Sequence, residues 1–379
     1  MFTKDKYYKL FVIMLLSCMV TLIAFEIVSL YATYDLTIYF GYLENIRAGM
    51  MPYSDFSIEY PQLFLIFVLP QYCLACLFGN AELFYIIFIV STIIIYYFTI
   101  LLIYKISEAV FNDEKRAYTS ALLFSTSIAC IYFATNKYDI FPVFLMLLSL
   151  YLLMNKGNHL QSYIVATLGT LTKWFNAVII PFYIVKEIKD GKSIFGISKN
   201  IIVSCVIGLV CVIPFVLMNF EVFWTTYSFH FGRGGLPHSL PYMFQYYLGI
   251  EADIFNVVFI IAFIILLYKY YKDENTDYNL LKYVALIVTI FVFCNKVFSP
   301  QYILWFAPFL ALLFVNNKKE IFVYYLAQIV VLIEFPILVN KIYTLADYST
   351  IYGQIWFIFK WIVMFVVLYL LFKNKDVEK

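Results

Sequence analysis

With 379 residues, 64% of them hydrophobic and only 13% charged, the chain carries more apolar surface than a water-soluble core could hide. A net charge of +2, with the lysines in short clusters between apolar runs, excludes a nucleic-acid-binding surface. Apolar runs of about twenty residues recur throughout and imply an all-α polytopic membrane bundle of about twelve spans.

In chain order, the first apolar segment, Leu10 to Leu30, follows Lys4, Lys6 and Lys9 as a signal peptide would. It is long and lacks a small-x-small cleavage site before Tyr31, so it reads as a retained span. Spans are expected at approximately 10–31, 82–104, 117–134, 139–154, 160–172, 173–186, 200–218, 252–271, 281–295, 300–315, 320–338 and 354–372. The segment 62–78 contains Pro70 and is short for a span.

Charge decides where that segment lies. If it stays on the outer face, most of the 26 basic residues fall on the inner side, among them Lys105, Lys115, Arg116, Lys186, Lys189, Lys192, Lys199, Lys269, Lys272, Lys318 and Lys319. If it crosses, the bias reverses. The segment is therefore expected to be an interfacial or re-entrant helix within one integral domain, 1–379, of a multi-pass cell-membrane protein. Both termini are then cytoplasmic, and the long outer loops fall at about 32–81 and 219–251. The seven cysteines lie in or beside apolar segments. Cys73-x-x-Cys76 has no second pair to complete a metal site, so packing explains it.

The first outer loop reads Tyr34-Asp35-Leu36, Arg47 to Phe56, and Glu59-Tyr60-Pro61-Gln62. Its acids fall just outside the apolar boundary, at the depth where a membrane lipid headgroup presents its reacting atoms. A sugar hydroxyl is a poor nucleophile and needs a carboxylate to take its proton as the new bond forms. Asp35, at the exit of the first span, is the best-placed candidate; a surface acid is the plain alternative.

Lys173 and Lys296 each lie at a junction of apolar segments, where a bare ammonium is costly unless it meets an anion. That anion is a substrate phosphate or a protein carboxylate such as Glu26, Asp139 or Glu334. Lys137 is a further outer-face cation. Arg233 sits in Gly232-Arg233-Gly234-Gly235, which reads equally as a closing loop or an exposed one. His230 and His238 are too few for a metal cluster. Asp55 and Glu59 suit sugar hydroxyls, although Glu59 also suits the start of the following helix. The aromatic stretch Trp224, Tyr227, Phe229 and Phe231 provides stacking surface or interfacial anchors.

Asp35, then Gly49 with Pro52-Tyr53, then Tyr60-Pro61 before the short helix, resembles the first outer loop of GT-C glycosyltransferases. The likeness is nearest to the polyprenol-phosphate-mannose-dependent mannosyltransferases of glycosyltransferase family eighty-seven and their GPI mannosyltransferase relatives. Thr172-Lys173-Trp174-Phe175 with Pro181 resembles that family's lysine-and-proline segment. Lys296-Val297-Phe298-Ser299-Pro300-Gln301-Tyr302 with Trp305 resembles its late Ser-Pro-Gln-Tyr element.

The resemblance implies inverting transfer of a hexose, mannose-like, from a polyprenyl-phosphate-sugar donor to a glycan or glycolipid hydroxyl on the outer face. Asp35 would be the base, with Lys173 and the Lys296, Gln301 and Tyr302 element near the donor. On the expected topology the outer-face groups available to the lipid phosphate are Lys173, Lys296, Arg233 and Lys137, with His230 and His238 in the second large loop. Relatives often carry a paired acid where this chain has Thr33, so no bound divalent metal and no cofactor is expected. A transporter of lipid-linked sugars would instead place polar residues at the midplane of broken helices in related halves. An envelope-glycan polymerase or ligase would share the outer site and differ in donor.

Overall fold

The structure, a computed structural model, describes residues 3–155, 158–338 and 350–375. All regular secondary structure among the described residues is helical. Seven helices are long and apolar enough to cross a bilayer: Asp5–Ile27, Leu83–Phe111, Ile194–Met218, Ile254–Lys272, Asp277–Cys294, Lys318–Leu338 and Ile351–Lys373. An eighth crossing is possible as the bent pair Glu114–Ser125 and Ile128–Asn136, which meet at 56°. The bend has a local cause, because Thr126 Oγ1 donates to the carbonyl of Leu122 and Ser127 Oγ to that of Leu123. Such back-bonding bends helices.

The four remaining expected spans are helical but shorter: Ile140–Met154, His159–Thr172, a 3₁₀ turn Trp174–Ile179 running into Ile180–Lys189, and Pro300–Leu313. The segment expected at the interface forms the 14-residue helix Phe64–Leu77. At about 1.5 Å per residue it is shorter than the roughly 30 Å hydrocarbon core.

Polar caps mark the helix starts. Asp113, Asn219, Ser239, Thr276 and Asn317 each accept a backbone N–H of the first turn that follows, filling donors a helix cannot satisfy itself.

The chain divides into two compact units, each assembled from separated stretches. The loop unit comprises Ala32–Tyr96 and Ala134–Arg233; the C-terminal unit comprises Met1–Tyr31, Tyr97–Phe133 and Gly234–Lys379. In the loop unit, helix α1 (Tyr34–Arg47) packs on α2 (Phe64–Leu77), and α3 (Ile140–Met154) on α4 (His159–Thr172). Its core is aromatic, with Tyr39, Tyr53, Phe64, Phe84, Phe88 and Tyr138 buried together. In the C-terminal unit, Asp277–Cys294 and Ile303–Leu313 are the central helices, the second of them buried on every side.

Candidate active site

The motif residues of the first loop fold into a tight turn. Gly49 closes α1 with φ +89°, and Tyr53 adopts φ +62°, a left-handed conformation unusual for a side chain of that size. The Asp55 carboxylate accepts from the Met51 N–H at 2.7 Å, and the Tyr53 N–H donates to the Phe56 carbonyl at 2.9 Å. Tyr53 is fully buried and its hydroxyl donates to the Tyr60 carbonyl at 2.8 Å. The Gly49…Pro52-Tyr53 pattern therefore shapes the loop and fixes Tyr60. Asp55, a candidate sugar ligand from sequence, serves that turn with its carboxylate.

Asp35 lies in the first turn of α1, where helix N–H groups favour negative charge. Its Oδ1 forms an ion pair with Lys137 Nζ at 2.6 Å, and both side chains are largely covered, 15% and 8% exposed. Lys173, extended between α4 and the 3₁₀ turn, reaches Asp139 Oδ1 at 2.7 Å. Asp139 is thus the carboxylate partner, of the three considered from sequence, that Lys173 meets.

An aromatic group joins the two ion pairs. Lys173 Nζ lies 4.7 Å from the Tyr138 ring centroid and 5.9 Å from that of Tyr60. Tyr39 packs edge-on against Tyr60, Phe64 and Tyr138. Burial, reinforced by the Asp35 and Asp139 charges, holds the Tyr39 and Tyr60 phenols protonated well above their usual range. The pairs and rings form one polar wall of two carboxylates, two ammoniums and buried phenols.

A second wall follows directly. Trp174, next to Lys173, stacks nearly parallel on Tyr227 at 5.0 Å and meets His230 edge-on at 5.1 Å. The Tyr227 hydroxyl donates to Gln62 Oε1 at 3.3 Å, and His230 Nε2 lies 2.8 Å from the Glu59 carbonyl. A carbonyl only accepts, so Nε2 carries the hydrogen and Nδ1 offers a lone pair. Burial lowers the His230 pKa, and the Arg233 and Lys173 charges act in the same direction, which keeps the ring neutral at pH 7. Glu59, a candidate sugar ligand, contributes its main chain here. Arg233 ends the helix Phe220–Gly232, with its guanidinium 5.4 Å from the Phe229 ring.

The other three sequence candidates belong to the C-terminal unit. Lys296 Nζ meets Asp253 Oδ1 at 2.7 Å rather than Glu26, Asp139 or Glu334, and its carbonyl accepts from the Leu236 N–H. Tyr302 stacks on Trp305 at 3.7 Å, with Gln301 beside it in the turn Pro300–Tyr302. Glu334 instead pairs with Lys360 at 2.6 Å and with His238 Nδ1 at 3.1 Å. Among the described residues no group of three His, Cys, Asp or Glu side chains is placed to hold a metal ion.

Sequence reasoning passed over Gln62, Tyr39 and Tyr138. The signal was present in Asn136-Lys137-Tyr138-Asp139, which sets opposite charges two residues apart between apolar runs. Such a pair at a span end asks for partners.

No curated protein and no solved structure matches the chain. Residues 68–218 match the family model of the dolichyl-phosphate-mannose-protein mannosyltransferases. That stretch contains Lys137, Asp139 and Lys173, while Asp35 lies upstream of it. Taken with the apolar helices, the match supports a membrane glycosyltransferase of the GT-C type, mannosyltransferase-like in its family relationship.

Proposed function

We propose that this protein transfers a mannose-like hexose from a polyprenyl-phosphate-sugar donor to a glycan or glycolipid hydroxyl, with Asp35 as general base. The observation that carries the reading is the grouping of Asp35–Lys137 and Asp139–Lys173 around Tyr39, Tyr60 and Tyr138 on the loop unit. It places a basic oxygen and an ammonium beside the same rings, as proton removal at one end and phosphate departure at the other require.

In this mechanism the acceptor hydroxyl gives its proton to an Asp35 carboxylate oxygen as its own oxygen attacks the anomeric carbon. The bond from that carbon to the lipid phosphate breaks on the opposite face, with inversion, and the electron pair stays on phosphate. Lys173 lies beside Asp139 and the Tyr60 and Tyr138 rings. It faces the departing phosphate together with Arg233, while the neutral His230 ring braces Trp174 and Glu59. The charge bias of the loops supports both termini in the cytoplasm of a cell-membrane protein and an outward-facing site.

The test is Asp35→Asn in membranes supplied with labelled polyprenyl-phosphate mannose. Transfer should fall by about 10²–10⁴-fold, the contribution of a positioned base, with unchanged protein accumulation. Undiminished transfer would remove Asp35 from the role. A purified protein that accepts nucleotide sugar directly would refute the donor class.

A further inference from the structure

We propose that Lys137 is the positioning residue for Asp35 in the transfer step. The proposal rests on the reading of Asp35 as the base, and it concerns a residue to which neither the motif likeness nor the family match gives a role.

The two ammoniums of the site differ in their partners. Lys173 meets Asp139, whose side chain is 1% exposed. Lys137 meets the reacting carboxylate itself, at 2.6 Å and with only 8% of its own side chain exposed. Lys137 takes Oδ1, and Oδ2 accepts no hydrogen bond among the described residues. One oxygen is thereby anchored and the other left toward an incoming hydroxyl. Lys137 stands just after the helix Ile128–Asn136 and before α3, so its backbone is fixed from both sides. Asp35 is held on the first turn of α1.

The charge argument follows from the atoms moved. The acceptor O–H bond breaks and its proton goes to Asp35; the new carbon–oxygen bond forms; the carbon–phosphate oxygen bond breaks and its electron pair goes to phosphate. One negative charge thus leaves Asp35 as one appears on the lipid phosphate. Lys137, covered from solvent, holds Asp35 charged and oriented until the proton arrives. Its effect is therefore exerted through Asp35, in the step that moves the proton, rather than on donor binding.

The experiment compares the full-length protein in membranes, using labelled polyprenyl-phosphate mannose and the native membrane acceptors. For Lys137→Met, kcat should fall by about 10²-fold or more while the KM for donor stays within about threefold, the signature of an interaction made chiefly in the transition state. Lys137→Arg, which keeps the charge, should lie within about tenfold of wild type. In the Asp35→Asn background, Lys137→Met should cost almost nothing further, because both changes disable one unit.

A full additional loss in that background would overturn the proposal, as would a Lys137→Met effect confined to KM. Should Lys137→Met fail to accumulate, Lys137→Arg decides, and a loss beyond a hundredfold there counts against the charge role. Full activity of Asp35→Asn would sink the base assignment; an inactive Asp35→Asn beside a fully active Lys137→Met would sink the present proposal alone.

Discussion

The two units hold chemically similar ion-pair clusters and treat them in opposite ways. In the C-terminal unit, Lys360 donates to Glu334 Oε1 at 2.6 Å and to the His238 carbonyl at 2.8 Å, with Phe298, Phe357 and Trp361 rings within 5.2 Å of its ammonium. Lys360 and Glu334 are 0% and 1% exposed. In the loop unit, Asp35, Lys137 and Lys173 each keep 8–15% of the side chain open. A sealed pair can only tie helices together, whereas a partly open one can exchange its partner for a substrate group. Pairing alone therefore does not mark a site.

The largest effect that sharpens this contrast is on stability. Lys360→Met leaves Glu334 charged inside the C-terminal unit with its chief counterion gone, and breaking a buried pair in this way costs about 3–5 kcal/mol. The variant should accumulate poorly and unfold at markedly lower temperature in detergent. Adding Glu334→Gln removes the stranded charge and should restore most of that loss. Asp35→Asn, at the open pair, should leave the unfolding temperature almost unchanged while transfer collapses. If Lys360→Met were as stable as wild type, the sealed cluster would not be the structural tie described here.

Much of the architecture was readable from the residues. Apolar length located the helices of the twelve expected spans, although four of them are shorter than a crossing. It missed Tyr34–Arg47, Phe220–Gly232 and Leu240–Leu248, which lie in the expected outer loops. Loop charge anticipated that 62–78 would not form a full span, and the helix there is 14 residues long. Asp35 and Lys173 stood out because charge beside apolar runs needs a reason. The pairings were not readable, since they join positions far apart in the chain: 35 with 137, 139 with 173, and 334 with 360. Lys296 met Asp253, an acid that no sequence pattern tied to it. Asp55 and Glu59 looked like sugar ligands, yet the structure uses the Asp55 carboxylate and the Glu59 carbonyl to hold the loop. Hydropathy reports depth in the membrane, and it is blind to which side chains converge there.

A middle-sized effect probes how the open cluster is held. A Cβ at Gly169 would come within 2.7 Å of Asn176 Nδ2 and 3.4 Å of Leu145 Cβ. Asn176 Nδ2 donates to the Pro142 carbonyl at 3.1 Å, and the Gly169 carbonyl accepts the Lys173 N–H at 2.9 Å. Gly169→Ala therefore pushes on the turn that aims Lys173. Overpacking of this kind costs about 1–3 kcal/mol. Transfer should fall more steeply than global stability, measured as initial rate against unfolding temperature in the same preparation. Equal insensitivity of both would mean the turn tolerates the methyl and does not set the Lys173 position.

The smallest effect is one of pH. Burial lowers the His230 pKa in the folded protein, so the unfolded chain takes up its proton first as pH falls. The stabilisation from keeping the ring neutral is complete above the ordinary histidine value of about 6.5 and is lost as pH drops from there through the lowered folded value. The slope from one such group is at most about 1.4 kcal/mol per pH unit. His230→Gln retains an amide donor for the Glu59 carbonyl and has no proton to gain. Between pH 7.5 and pH 5.5 the wild-type protein should lose more thermal stability than His230→Gln. Matching losses would show that the ring is not shielded in the folded state, and that the Trp174 wall is as open to solvent as the Asp35 side of the site.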